Sequence, residues 1–203
     1  MDTEVMAAKR TQYHHGDLRA GLVEATRQLV EEKGADRFSV SDACRAAGVS
    51  TAAPYRHFED RDEMLVAVCF EGMERFQDLM LKALKGHAHG SLEAIIALGH
   101  SYIQFATSEP GVFRLSFGIG REHGDNIELA EQGMRIYGIV LEQVAAYFGK
   151  NDVDDDVLDR AFPLWTMVHG LSFLLIDEKM AMLNLDHNID AMIRDNTRRL
   201  LAD

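Results

Sequence analysis

The stretch SVSDACRAAGVSTAAPYRHF, residues 39 to 58, decides how the rest of the chain is read, because it holds two short helical patterns joined by a glycine turn. Ser39 is placed to cap a first helix, with Asp42 three residues later approximating a capping box, and Ala43, Ala46 and Ala47 give that helix a face of small side chains. Gly48 ends it, and Val49 is an apolar plug in the turn. Ser50 is placed to cap a second helix on which Tyr55 and Phe58, three apart, share one face. Helix, short glycine turn and helix is the pattern of a unit that lays its second helix in the major groove of DNA.

Working outward, Asp17 is the expected cap of a helix reaching about Lys33, with Leu18, Leu22, Ala25, Leu29 and Val30 on one stripe. Gly34 stops it and Phe38 starts the next unit as a core plug, so this helix packs across the pair and completes a three-helix domain. Ahead of it, Lys9, Arg10, Tyr13, His14 and His15 form a cationic and aromatic arm, which is either a plain terminus or a contact to phosphates or a minor groove. After Phe58, Asp60 with Glu63 caps a long helix to about Lys85. Its apolar positions Met64, Leu65, Val68, Cys69, Phe76, Met80 and Leu84 rotate around the axis, as in a helix that packs on two successive cores.

Beyond GHAHG (residues 86 to 90), a helix runs from Ser91 or Leu92 to about Ser108, and Pro110 with Gly111 marks a corner. A short apolar helix VFRLSF follows, then the loop GIGREHGD, a helix from Asn126 to Phe148, one capped by NDVDDD that carries Trp165 and His169, and a last one from about Ile189 to Leu201. No stretch alternates like a strand. The expected fold is all-α with about nine helices: a helix-turn-helix domain over residues 1–62 and a second helical domain over residues 63–203.

The chain has 203 residues, 47% of them hydrophobic, enough for a buried core. Its net charge of −12 argues against a nucleic-acid partner, but the acid is unevenly placed. Residues 1–60 hold 8 basic and 10 acidic side chains, whereas residues 61–203 hold 13 and 23. Cys44 and Cys69, the only cysteines, sit in helical patterns without zinc spacing, which fits a reducing cytoplasm. No signal-peptide pattern and no apolar run of membrane-spanning length occurs, so a soluble, cytoplasmic protein is expected.

The segments YHHGDLRAGLVEATRQLVEEKG and DACRAAGVSTAAPYRHFEDRDEML, within residues 13 to 65, resemble the TetR family of transcriptional regulators. LWTMVHGL, with Trp165, His169 and Gly170, looks like the C-terminal subclass of that family named for its Trp-His-Gly signature. The resemblance implies an Ω-shaped homodimer, a small-molecule pocket in the C-terminal domain, and repression relieved by a ligand. By the same resemblance Tyr55 and His57 occupy positions that usually meet phosphate, and Arg61 stands where the family commonly has a phosphate-binding lysine. Pro54 departs from the family pattern. Within the first turn it is expected to remove one intrahelical bond and little more.

The expected DNA-binding set is Ser39, Ser41, Ser50, Thr51, Ala52, Ala53, Tyr55, Arg56, His57 and Arg61. Arg56 is the candidate base reader, since its fork can engage both guanine acceptors, and helix N-termini near Ser39 and Ser41 favour phosphate. A dimer through the last two helices would present two copies to a palindromic operator. For the pocket, Phe76, Met80, Phe105, Phe113, Phe117, Met134, Tyr137, Trp165, Met167 and His169 suggest an adaptable apolar cavity for a hydrophobic or aromatic effector, although core packing is the plainer role for each. An enzyme is not expected: no Glu-x-x-His, HExxH or GxSxG occurs. No cofactor is called for. Metal sensing through His87, His89 and His100 lacks a carboxylate or thiolate at ligand spacing. A further alternative keeps the fold but has it organise DNA or bind a protein partner.

Overall fold

The computed structural model describes residues 15–118 and 126–202; the arm residues Lys9, Arg10, Tyr13 and His14 and nearly all of the GIGREHGD loop lie outside them. Among the described residues the chain is all-helical: α1 (His15–Lys33), α2 (Val40–Ala47), a 3-10 turn (Pro54–Arg56), α3 (Arg61–Ala83), α4 (Leu92–Ser108), α5 (Pro110–Gly118), α6 (Ile127–Tyr147), α7 (Asp155–Ile176), α8 (Lys179–Met182) and α9 (Ile189–Leu200). Ser39, Asp60, Ser91, Asn126, Asp154 and Asn188 each accept a hydrogen bond from the backbone N–H three residues on, so six helices carry a side-chain cap. Each such cap is worth about 1 kcal/mol.

Three local expectations are corrected. α1 begins at His15, so Asp17 lies inside the helix and is not its cap. The second helix of the reading pair is absent as a regular α-helix. Ala53 N–H donates to Ser50 O, Arg56 N–H to Ala53 O and His57 N–H to Pro54 O, all three-residue closures, and the segment closes as a 3-10 turn without a side-chain cap from Ser50. Pro54 is the reason. It has no N–H to give to Ser50 O, which takes the N–H of Ala53 instead, one residue nearer, so the turn tightens. Its effect is therefore larger than the loss of one bond. Finally, α8 was not expected; it follows Glu178, whose positive φ of 54° turns the chain sharply after α7.

α1 packs on α2, α3 and α5, and α4 packs on α3, α7 and α9. One apolar core runs without a break from Leu22 and Val30 of α1 through Met64 and Val68 of α3 to Phe113 of α5, all fully buried. α3 therefore shares both ends of the molecule, as its rotating apolar stripe suggested. A second, smaller core joins Ile95, Val144, Val157 and Leu164 of α4, α6 and α7. Cys44 and Cys69 are buried, and burial pushes the Cys69 thiol up to about 11, so both serve packing.

Candidate functional site

The helix-turn-helix region is built by local bonds. Gly48 ends α2 at φ 68°, where Val49 N–H donates back to Cys44 O, a closure that needs the left-handed backbone and so the glycine. Ser39 accepts from Asp42 N–H, and hydrogen bonding to Ser39 holds the Asp42 carboxyl below the usual carboxylate range. Ser39, Ser41, Ser50, Thr51, Ala52, Tyr55 and Arg56 are exposed, while Ala53 and His57 are half-buried. Tyr55 is 62% exposed and Phe58 only 3%, so the two do not share a buried face: Phe58 is core, under the Arg19 guanidinium, and Tyr55 projects outward. The Arg56 side chain makes no hydrogen bond or ion pair among the described residues.

Arg61 is differently placed. Its Nε donates to Phe38 O at 3.2 Å, one terminal nitrogen donates to Ala35 O, the other pairs with Asp62 at 3.1 Å, and the guanidinium lies over the Phe38 ring. The fork thus ties α3 to the loop between α1 and α2. The family resemblance implies a phosphate for Arg61, whereas here the carbonyls of residues 35 and 38, which have no helical partner, draw its guanidinium inward.

A second constellation joins that region to the rest of the chain. Glu31 near the end of α1 accepts from Gly111 N–H at 2.8 Å and Val112 N–H at 2.9 Å, which are free donors at the start of α5. A Cβ on Gly111 would stand 2.6 Å from Val30 O, so only glycine allows this approach. Beside it Arg75 of α3 grips Glu109 in a bidentate pair at 2.8 and 2.6 Å, with Arg27 of α1 at 4.0 Å from the same carboxylate. Arg27 also holds the Glu24 carboxyl down at about 2.

The far end of α5 reaches a cavity of about 390 Å³ enclosed by α3, α4, α5, α6, α7 and α9. Of the expected pocket residues, Phe76, Met80, Phe117, Met134, Tyr137, Trp165 and Met167 line it. Phe105, Phe113 and His169 do not: Phe105 stacks behind Phe76, Phe113 is fully buried against Phe117, and His169 stands behind Tyr102. A helical stripe assigns a side chain to a face, not to a depth. Met73, Leu98, Gly99, Tyr102, Gly133 and Thr197 line it too and were missed, the glycines because a missing side chain leaves no pattern.

Trp165 Nε1–H donates to the Tyr102 oxygen at 3.3 Å, and that hydroxyl lies 2.7 Å from His169 Nδ1. The phenol oxygen accepts from the indole and shares a hydrogen bond with Nδ1, donated by the phenol when the ring proton sits on Nε2 and by the ring when it sits on Nδ1. Burial lowers the His169 pKa and pushes that of Tyr102 up, in agreement with a neutral chain of bonds.

His87, His89 and His100 are not brought to one point: His87 is exposed, His89 Nδ1 meets Gln143 at 2.8 Å, and His100 lies 3.4 Å from Asp190. Among the described residues no group of three His, Cys, Asp or Glu could hold a metal ion, and no helix is long and apolar enough to cross a membrane.

Two family models match: bacterial regulatory proteins of the tetR family over residues 22–68, and the tetracyclin repressor-like C-terminal domain over residues 95–200. The chain is 33% identical over 99 residues to an uncharacterized HTH-type transcriptional regulator of Haemophilus influenzae, covering 48% of this chain and 47% of that protein. It is 30% identical over 108 residues to the nucleoid occlusion factor SlmA of Haemophilus ducreyi, covering 53% and 51%. The chain spans about half the length of the curated relatives it matches. A solved structure of a protein with unknown function from Rhodococcus sp. RHA1 superposes with a TM-score of 0.77 at 26% identity, over 93% of this chain and 96% of that one. The fold, with a reading unit at one end and a helical body at the other, is that of regulators and not of enzymes. The C-terminal match alone covers more than half of the chain, and with the N-terminal match it shows that the chain belongs to the TetR family of DNA-binding transcriptional regulators.

Proposed function

We propose that the protein is a cytoplasmic repressor, released from a palindromic operator by a small apolar or aromatic effector held in the cavity. The observation that carries this reading is one helix with two attachments: α5 lends Phe117 to the cavity wall, while Glu31 of α1 holds its first N–H groups. A ligand that moves Phe117 bears on the helix that packs the reading unit. Binding a ligand can weaken DNA binding only by its difference in affinity for the two geometries, on the order of 1–3 kcal/mol.

In this reading residues 1–62 bind DNA and residues 63–203 hold the effector and the dimer contact. Arg56 reads a base, with Thr51, Ala52, Ala53 and His57 beside it, and Ser39, Ser41, Ser50 and Tyr55 meet the backbone. Arg61 supports the loop and is left out of the phosphate set. Leu158, Phe162 and Leu174 of α7 and Leu200 of α9 are exposed apolar side chains that suit a dimer through the last two long helices. Such a dimer sets two reading units about 34–36 Å apart.

Selection of bound DNA from a random pool, followed by screening of compounds for release, tests the proposal. A palindromic consensus with release by apolar compounds is expected; sequence-independent binding that no compound reverses would remove it. A second reading is favoured by one observation, the 30% identity to a nucleoid occlusion factor: a protein that organises DNA. Genomic occupancy separates the two, since a repressor occupies a few promoters and an organiser many dispersed sites.

A further inference from the structure

We infer that the cavity selects an electrically neutral effector: an apolar body carrying an uncharged hydrogen-bonding group, with the carboxylate and ammonium forms of the same skeleton excluded. The inference rests on the cavity being the effector site, and it adds the charge and polarity of the occupant.

Among the described residues, nineteen line the cavity and none of them carries a charge at neutral pH. An ion entering it would lose its water and meet no counter-charge, a cost that apolar contact does not offset. Several charged groups on neighbouring elements are engaged with one another. Arg75 holds Glu109 through two bonds, and Arg114 of α5 is bound to Asp177 and to Ile176 O. His169 stands behind Tyr102 and does not line the cavity, so its ring is not presented to a ligand carboxylate.

The wall is nevertheless not wholly apolar. Thr197 of α9 is 2% exposed, and its hydroxyl makes no hydrogen bond among the described residues; the Tyr137 hydroxyl on α6 makes none either. Both can donate and accept. A ligand hydroxyl, ketone or ester satisfies them without bringing a charge, and the volume of about 390 Å³ suits a molecule at the small end of the usual range.

Trp165 is the only tryptophan of the chain and lies on the cavity wall, so its emission reports occupancy. The full chain is titrated at pH 7 with two matched sets that are transparent where tryptophan absorbs: decanol, decanoate and decylamine, and the methanol, carboxylate and methylamine derivatives of adamantane. The alcohols should shift the emission saturably and bind at least tenfold tighter than either ion. Gly133→Phe, which adds a ring where a Cβ meets nothing within 4 Å, should abolish the response. Thr197→Val, which keeps the shape, should weaken the alcohols several-fold. A carboxylate or amine binding as tightly as its alcohol overturns the charge rule, as does an alcohol response that survives Gly133→Phe. Unchanged alcohol affinity in Thr197→Val overturns the hydrogen-bonding part. If no compound moves the emission, the cavity is not a receptor and the inference falls with it. If the alcohols bind in the expected order but do not release operator DNA, the neutral-ligand rule stands and the repressor reading falls.

Discussion

The DNA-reading end and the cavity end of this molecule are held together in opposite ways. Around residues 39–61 the order comes from caps, a glycine and an arginine fork on backbone carbonyls, with the side chains that would meet DNA left outside. Around the cavity it comes from packed aromatic rings, with Trp165, Tyr102 and His169 linked in one chain of hydrogen bonds and the Thr197 and Tyr137 hydroxyls left open to a ligand. A surface that must meet a polyanion keeps its polar groups exposed and needs little core, whereas a wall that must stay open cannot rely on its own contents for support. The difference teaches where each end is vulnerable: the first to loss of single bonds, the second to loss of shape.

The sharpest way to break this comparison is at the junction, where both ends depend on one contact. Gly111→Ala drives a Cβ into the backbone at Val30 and Glu31, and neither can shift without moving α1. We expect a loss of about 3 kcal/mol, seen as a fall in Tm; an unchanged Tm would mean that α5 does not press on α1. The reading end is probed by Arg56→Ala. It should leave Tm alone and relax preference at one operator base pair by about 1–3 kcal/mol, read from competition between operator variants. Uniform weakening over all sequences would make Arg56 a phosphate contact.

Arg61→Ala distinguishes support from contact at the same end. With its fork on Phe38 and Ala35 carbonyls, its removal should cost about 1 kcal/mol of stability and leave the salt dependence of DNA binding as it was. A salt slope lowered by about 1 would restore it to the phosphate set. The smallest effect is expected just behind the cavity wall. Because burial lowers the His169 pKa, the unfolded chain binds a proton more readily than the folded one as pH falls below about 6.5. Stability should therefore be full above that pH and decline below it. His169→Gln should flatten that part of the stability profile measured by denaturant unfolding.

The same contrast explains what could be read from sequence. Ser39, Gly48, Asp60, Asn126 and Asp154 act within three or four residues of themselves, and the helix ends they mark were legible. Pro54 also acts locally, but its result depended on which carbonyl lost a partner, and the expected helix became a tight turn. The aromatic residues of α3 to α7 were legible as a set. Their sorting into wall and backing was not, because Phe113 and Phe117 lie on one short helix and differ only in what stands across from them. Glu31 gave no signal at all, being an ordinary acid at the end of a helix until α5 is folded against it.

The Glu31 clamp also bears on how such proteins can be recombined. A hybrid that joins another regulator's first 62 residues to this chain's remaining helices would keep the cavity, the long α3 and every contact within the C-terminal part. Where the donor regulator has no acid at position 31, it would lack the carboxylate that receives the first two N–H groups of α5. If the proposed effector coupling runs through α5, such a chimera would bind DNA and effector without either event informing the other. Transplanting residues 27 to 31 along with the body restores the connection, which makes the end of α1, and not the middle of the reading unit, the natural seam for exchanging parts.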